Sequence, residues 1–188
     1  MLVGVITFSH TATVHTDPTP PENLSRFTFT PFGGTNIAAA LKLASKVHAK
    51  VAPGDELLVV LCSDGDASFG GGITRNHAGA AIKKAEELRA KGARLACIGF
   101  AGGGYDFDTL RKIASSPSLF WRANEGSLAS IFVQTSQRIT QQGTRNDRDR
   151  LLLFLIDTSI SMEEAGKQRE CEEAVNAGFA FLRDTFGR

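Results

Sequence analysis

Residues 151–162 read LLLFLIDTSISM: six apolar residues in a row, an acid at 157, and serines at 159 and 161. An apolar run of that length, without alternation, is the pattern of a strand buried on both faces of a parallel sheet. The acid and hydroxyls after it then belong to the loop leaving the strand's carboxyl end, where open α/β sheets bind their ligands. Continued in extended form, the chain would turn Asp157, Ser159 and Ser161 to one side. This most strand-like segment falls in the last fifth of a chain of 188 residues, and the rest of the sequence has to explain why.

Working outward, apolar strands alternate with helical faces. LVGVITFS, residues 2–9, reads as a buried strand, and TATVHT, 11–16, as an antiparallel partner at the sheet edge. DPTPPENL, 17–24, is a proline-rich loop. From Asn36 the period changes, with Ile37, Ala40, Leu41, Ala44 and Val47 on one helical face. LLVVLC, 57–62, is a strand. Ala78, Ala81, Ile82, Ala85 and Leu88 form a second helical face, ended by Lys91 and Gly92. Residues 94–100 are a strand, and 106–114 a short helix with Asp106 as its expected cap. Residues 119–122 form a short strand, and Leu128, Ile131, Phe132, Thr135 and Ile139 mark the next helix. TQQGTRNDRDR, 140–150, is polar and aperiodic and reads as a linker. After the opening run, Cys171, Ala174, Val175, Gly178 and Leu182 give a last helix, with Gly187 expected at its C′ position. The expected fold is α/β: a doubly wound, mostly parallel sheet of about six strands, one antiparallel edge strand, and helices on both faces.

Composition supports one globular domain, with 42% hydrophobic and 22% charged residues. Lys plus Arg is 21 and Asp plus Glu is 20, so no global field draws in nucleic acid or an anionic membrane. No apolar run approaches the roughly 20 residues of a membrane span. The start, MLVGVITFSH, lacks a basic n-region and a small-residue cleavage site, so a signal peptide is not expected. Three widely spaced cysteines, Cys62, Cys97 and Cys171, read as buried thiols in a reducing, cytoplasmic compartment.

Three strand-end loops carry candidate chemistry. One holds Asp157, Ser159 and Ser161. A second holds Gly33, Gly34 and Thr35 at a helix entrance. The third holds Ser63, Asp64, Gly65 and Asp66. They offer acids and hydroxyls without histidine or thiolate, a hard all-oxygen set. Two carboxylates (Asp157, Asp64) and three hydroxyls (Ser159, Ser161, Thr35) suit Mg²⁺, which takes few protein carboxylates and keeps open positions. Mn²⁺ or Ca²⁺ are the alternatives. Two negative charges balance the ion and leave nothing to repel an arriving Glu or Asp.

These motifs resemble the von Willebrand factor type A domain and its metal-ion-dependent adhesion site. DTSIS at 157–161 resembles the family's DxSxS, GGTN supplies the loop threonine at Thr35, and CSDGD supplies the strand-end acid at Asp64. The resemblance implies a binding module rather than an enzyme, with a partner's acidic side chain completing the ion's coordination. It also implies, for intracellular bacterial members, work with AAA+ ATPases as adaptors or chaperone components. Gly33, Gly34, Phe69, Gly103 and Tyr105 are the expected partner-binding rim, and Phe32 or Phe69 could add an apolar contact.

In that family DxSxS follows the first strand, whereas here Thr35 and Asp64 precede Asp157. The order is rotated, which makes the chain look circularly permuted: 1–139 the second strand to the last helix, 140–150 the linker, 151–188 the first strand, motif loop and first helix. A linker of about ten residues spans roughly 30 Å when extended, enough to return under a domain. A cut-out from a tandem array, or a domain-swapped dimer, would give the same order.

Other features read plainly. Gly70-Gly71-Gly72 lacks Walker spacing, and with Gly102-Gly103-Gly104 it reads as a rim loop. Asp66 is expected to be a turn acid, and Glu163 and Glu164 to sit at a helix start, as the dipole favours. The four histidines are scattered, with no nucleophile nearby. A phosphohydrolase with Asp157 as nucleophile is the enzymatic alternative, but the haloacid-dehalogenase-like pattern wants an acid where Ser159 stands and a lysine loop that is not evident. A nucleotide-binding Rossmann module would need a GxGxxG and a spaced acid, which no segment supplies together.

Overall fold

The computed structural model describes residues 1–64, 68–69, 72–73, 75–100, 107–124, 126–141 and 150–187. The elements in chain order are β1 (Leu2–Phe8), β2 (Ala12–Thr19), α1 (Ile37–Val51), β3 (Glu56–Ser63), β4 (Ser68–Phe69), β5 (Gly72–Ile73) and α2 (Arg75–Ala90). They continue with β6 (Arg94–Phe100), α3 (Asp108–Ile113), β7 (Phe120–Ala123), α4 (Leu128–Gln141), β8 (Arg150–Asp157) and α5 (Lys167–Phe186). The main sheet has six strands in the order β2-β1-β8-β3-β6-β7. Within this sheet only the β1–β2 pair is antiparallel. β4 and β5 form a separate two-stranded ladder.

The opening run therefore occupies the middle of the sheet. β8 pairs with β1 from Leu2↔Leu151 to Phe8↔Asp157, and with β3 from Glu56↔Arg150 to Cys62↔Ile156. All eight of its residues are buried. Alternate side chains go to opposite faces, as strand geometry requires. Leu152, Phe154 and Ile156 join the core beneath α4 and α5. Leu151, Leu153 and Leu155 join the core beneath α1, α2 and α3. The fold is the expected doubly wound sheet, covered on both faces.

Aromatic packing ties β8 to its helices. Phe154 stacks on Phe132 of α4 at 5.0 Å between ring centroids and meets Phe179 of α5 at 5.8 Å. Gly178 permits this approach of α4 and α5, because a Cβ there would lie 2.7 Å from the Phe132 ring. At the amino end of β8, Arg150 Nε lies 3.4 Å from Glu56 Oε2, and its Nη1 donates to the Thr140 carbonyl at 2.8 Å. Arg94 Nε lies 3.3 Å from the other Glu56 oxygen.

A second fastening crosses the surface of α5. Asn176 Oδ1 accepts from the Phe27 N–H at 2.8 Å, and Asn176 Nδ2 donates to the Phe27 carbonyl at 2.9 Å. Glu172 accepts from the Phe29 N–H, Gln168 donates to the Phe29 carbonyl, and Arg183 donates to the Leu24 carbonyl. The first three side chains are spaced by four residues and share one helical face. A segment that would otherwise have unpaired backbone is thus held as a strap along the helix.

Several expected boundaries shift. β2 runs through Pro18 to Thr19, three residues beyond the expected strand; an edge strand tolerates proline because one side needs no ladder partner. Thr140 and Gln141 belong to α4, and Arg150 begins β8, so these three residues of the expected linker lie in regular elements; 142–149 lie outside the described residues. α3 has Phe107 at its N-cap without a side-chain cap bond; Asp106 lies outside the described residues. Gly187 closes α5 at φ −76°, not in the left-handed region. Gly92, at φ +88°, does end α2 as a left-handed residue, with the Ala93 N–H bonded back to Leu88.

Candidate metal centre

β8 ends at Asp157, whose side chain is fully buried. The β1–β8–β3 register puts Phe8, Asp157 and Ser63 in one row, since Ser63 follows the Cys62↔Ile156 pair. The Ser63 hydroxyl donates to Asp157 Oδ2 at 2.6 Å. The Ser159 N–H donates to Asp157 Oδ1 at 2.9 Å. That second bond closes a local turn of the kind Asp favours, and the chain leaves the strand at once.

The expected alternation along an extended chain is therefore replaced by a turn and a 3₁₀ segment, Ile160–Gly166. The turn still gathers the hydroxyls, with Ser159 Oγ and Ser161 Oγ 2.8 Å apart. Ser159 is buried and Ser161 half-buried. Glu163 and Glu164 sit in this 3₁₀ segment, not at the start of α5 as expected.

The Gly33–Gly34–Thr35 loop is fastened to the same turn. The Phe32 N–H donates to the Thr158 carbonyl at 2.7 Å, and the Ile160 N–H donates to the Gly33 carbonyl at 3.0 Å. Thr158 is itself anchored, its N–H and Oγ1 both donating to the Phe8 carbonyl. Gly33 has φ +75°, and a Cβ there would lie 2.3 Å from His10 Nδ1, so both backbone and space call for glycine. Thr35 is 1% exposed. Asn36 then caps α1, its Oδ1 accepting from the Ala39 N–H at 3.0 Å.

Asp64 follows Ser63 at the end of β3 and is also fully buried. Burial, and then the Asp64 charge, push the Asp157 carboxyl up to about 7, against the lowering effect of the hydrogen bonds from Ser63 and Ser159. Burial, the neighbouring Cys171 and the same two acids push the Cys62 thiol well up as well. All three cysteines are free and buried, as expected. The site thus concentrates negative charge away from water, which a cation would relieve. The donor set fits a hard divalent ion: carboxylates of Asp64 and Asp157 with hydroxyls of Ser159, Ser161 and Thr35. Among the described residues no group of three or more His, Cys, Asp or Glu gathers as a metal site, here or elsewhere; the donors at this site are two acids and three hydroxyls.

Two residues at the site were not singled out from sequence. Ser63 was named only as part of its loop; its bond to Asp157 follows from the sheet register. Lys167, ten residues after Asp157, has its Nζ 3.8 Å from Asp64 Oδ2 and donates to the Ser161 carbonyl at 3.3 Å. A lysine was not expected here, and the only sequence signal is a lysine, with Arg169 two residues on, between acids in MEEAGKQRECEE. Of the expected rim, Gly33 and Gly34 lie beside the turn, while Gly103 and Tyr105 fall outside the described residues, as does the side chain of Phe69; Asp66, the expected turn acid, also lies outside them. Phe32, 67% exposed, and Ile160, 61% exposed, flank the joined loops.

An open sheet wound by helices on both faces, with acids and hydroxyls at the carboxyl ends of adjacent central strands, defines the class: an α/β domain that presents a ligand site at its strand ends. Residues 1–134 match the von Willebrand factor type A domain, and the chain belongs to that family. The match runs from β1 into α4, and β8 and α5 lie beyond it. No curated protein and no solved structure matches the chain. Domains of this family often mediate protein–protein interactions and are generally not enzymes. Among the described residues no helix is long and apolar enough to cross a membrane.

Proposed function

We propose that the chain is a metal-dependent protein-interaction module, with Asp157, Ser159, Ser161, Thr35 and Asp64 holding Mg²⁺, or else Mn²⁺ or Ca²⁺. The observation that carries the reading is the meeting of two fully buried carboxylates with the Ser159–Ser161 hydroxyl pair, on loops hydrogen-bonded to one another. When bound, a divalent cation supplies an electrophilic position that an acidic side chain of a partner protein can fill. Ser63 and the Ser159 N–H orient Asp157, and Thr158 pins the turn to β1. Gly33, Gly34, Phe32 and Ile160 form the rim that would select the partner, and the sequence reading adds Phe69, Gly103 and Tyr105 as proposed partner contacts. An AAA+ ATPase is the proposed working context, in a bacterial cytoplasm.

The proposal includes circular permutation. It is supported by the place of β8 between β1 and β3, by the strap that binds α5 to residues 24–29, and by a family match that stops before the DTSIS segment. Light scattering tests it: a monomer fits the permuted domain, and a strict dimer points to exchange of β8 and α5 between copies.

Calorimetry tests the metal site. The parent should bind Mn²⁺ or Mg²⁺, and Asp157→Ala and Asp64→Ala should not, with circular dichroism showing all three folded; unchanged affinity in both variants defeats the assignment. A captured partner should be lost in EDTA and with Thr35→Ala. Lys167 near the acids gives the phosphohydrolase alternative one feature that the sequence had not offered it. A phosphoester screen with Mg²⁺ separates the readings, since turnover abolished by Asp157→Ala would favour the enzyme.

A further inference from the structure

We infer that Lys167 is a built-in counter-cation of the Asp64–Asp157 pair, steadying the metal-free site and lowering its affinity for a divalent ion. The inference rests on the metal reading above. Lys167 is the first residue of α5 and is 7% exposed. A lysine is doubly disfavoured there. Burial strips its hydration, and the amino end of a helix carries positive partial charge, which favours acids. What compensates is visible in its contacts: Asp64 Oδ2 at 3.8 Å and the Ser161 carbonyl at 3.3 Å. Both belong to residues assigned to the metal, and fully buried Asp157, once ionised, adds a second negative charge beside Asp64.

Charge counting gives the consequence. Among the described residues, and with both carboxylates ionised, the ammonium leaves the metal-free site at minus one instead of minus two. A divalent ion must then enter a partly neutralised site, close to a fixed positive charge, so it binds less tightly than two acids alone would hold it. Once loaded, the site stands at plus one, and an acidic side chain from a partner restores neutrality. The 3₁₀ segment Ile160–Gly166 links Ser161 to Lys167, so the ammonium is positioned by the same turn that gathers the hydroxyls.

The test compares Lys167→Met and Lys167→Arg with the parent by Mn²⁺ calorimetry and by melting in EDTA. Lys167→Met should bind Mn²⁺ about ten-fold more tightly and melt lower without metal, and Lys167→Arg should stay near the parent in both. Unchanged or weaker Mn²⁺ binding by Lys167→Met overturns the inference and leaves the metal reading standing. A parent that binds no Mn²⁺ overturns the metal reading; the EDTA melts then decide the counter-cation role, which fails if Lys167→Met melts like the parent. If Lys167→Met cannot be isolated folded, recovery of the fold by Asp64→Asn/Lys167→Met supports the pairing, and a double variant as unfolded as the single one overturns it.

Discussion

Replacing Asp157 with Asn in the metal-free protein should stabilise it, and by an amount that grows with pH. The side chain is fully buried, and its carboxyl is raised from 3.8 to about 7 by burial and by the charge of Asp64. Between those values the folded state holds a proton that the unfolded state has released. Stability therefore falls as pH rises through this window, by about 1.4 kcal/mol per pH unit and about 4 kcal/mol in all. The contribution is fully present below about 3.8 and gone above about 7. Asn keeps the shape and can still accept from Ser63 or from the Ser159 N–H, but it carries no charge. Urea unfolding in EDTA at several pH values, for the parent and Asp157→Asn, isolates the effect as a difference between the two curves. The advantage of Asp157→Asn should widen from pH 5 to 7 and level off above that. A flat or narrowing difference refutes the argument. Saturating Mn²⁺ should remove the slope in the parent, because the ion replaces the proton, and should do nothing for the variant.

Two further substitutions probe the scaffold around the site. Gly33→Ala should cost about 1–3 kcal/mol, because it forces a side chain onto φ +75° and into His10 Nδ1; denaturant melts measure the loss, and Mn²⁺ affinity should fall with it. Asn176→Ala should cost about 1–3 kcal/mol by breaking both bonds to Phe27. Its metal affinity should stay near the parent value, since the strap lies on the helix flank; a variant as stable as the parent means the strap carries no weight.

The sheet and its helices were legible because apolar periodicity is local. LLLFLI announces a strand buried on both faces, and Ile37, Ala40, Leu41 and Ala44 announce a helix, from neighbours alone; all are buried where the pattern puts them. The convergence of the Thr35, Asp64 and Asp157 loops was legible too, because strand ends dictate where loops emerge. What escaped depended on contacts between distant segments or on fine turn geometry. The Ser159 N–H bond to Asp157 turns the chain where alternation would have carried it straight. Lys167 reaches the acids only because the 3₁₀ turn brings the start of α5 back over the strand end. The strap pairs side chains of α5 with backbone some 140 residues earlier, in a segment with no period of its own. Pro18 looked like a strand breaker and is tolerated only because β2 is an edge.

The place of β8 has a consequence for how the chain comes into being. During synthesis β1 and β3 leave the ribosome well before the strand that joins them. Until residues 150–157 emerge, two apolar strands wait with open flanks, and the sheet cannot close from either side. The pairings that complete it bridge about 149 positions for β1 and 94 for β3, the kind of distant closure that slows folding and invites aggregation while it is pending. A nascent chain of this design is therefore held open until its late central strand arrives, a delay during which general chaperones have something to hold.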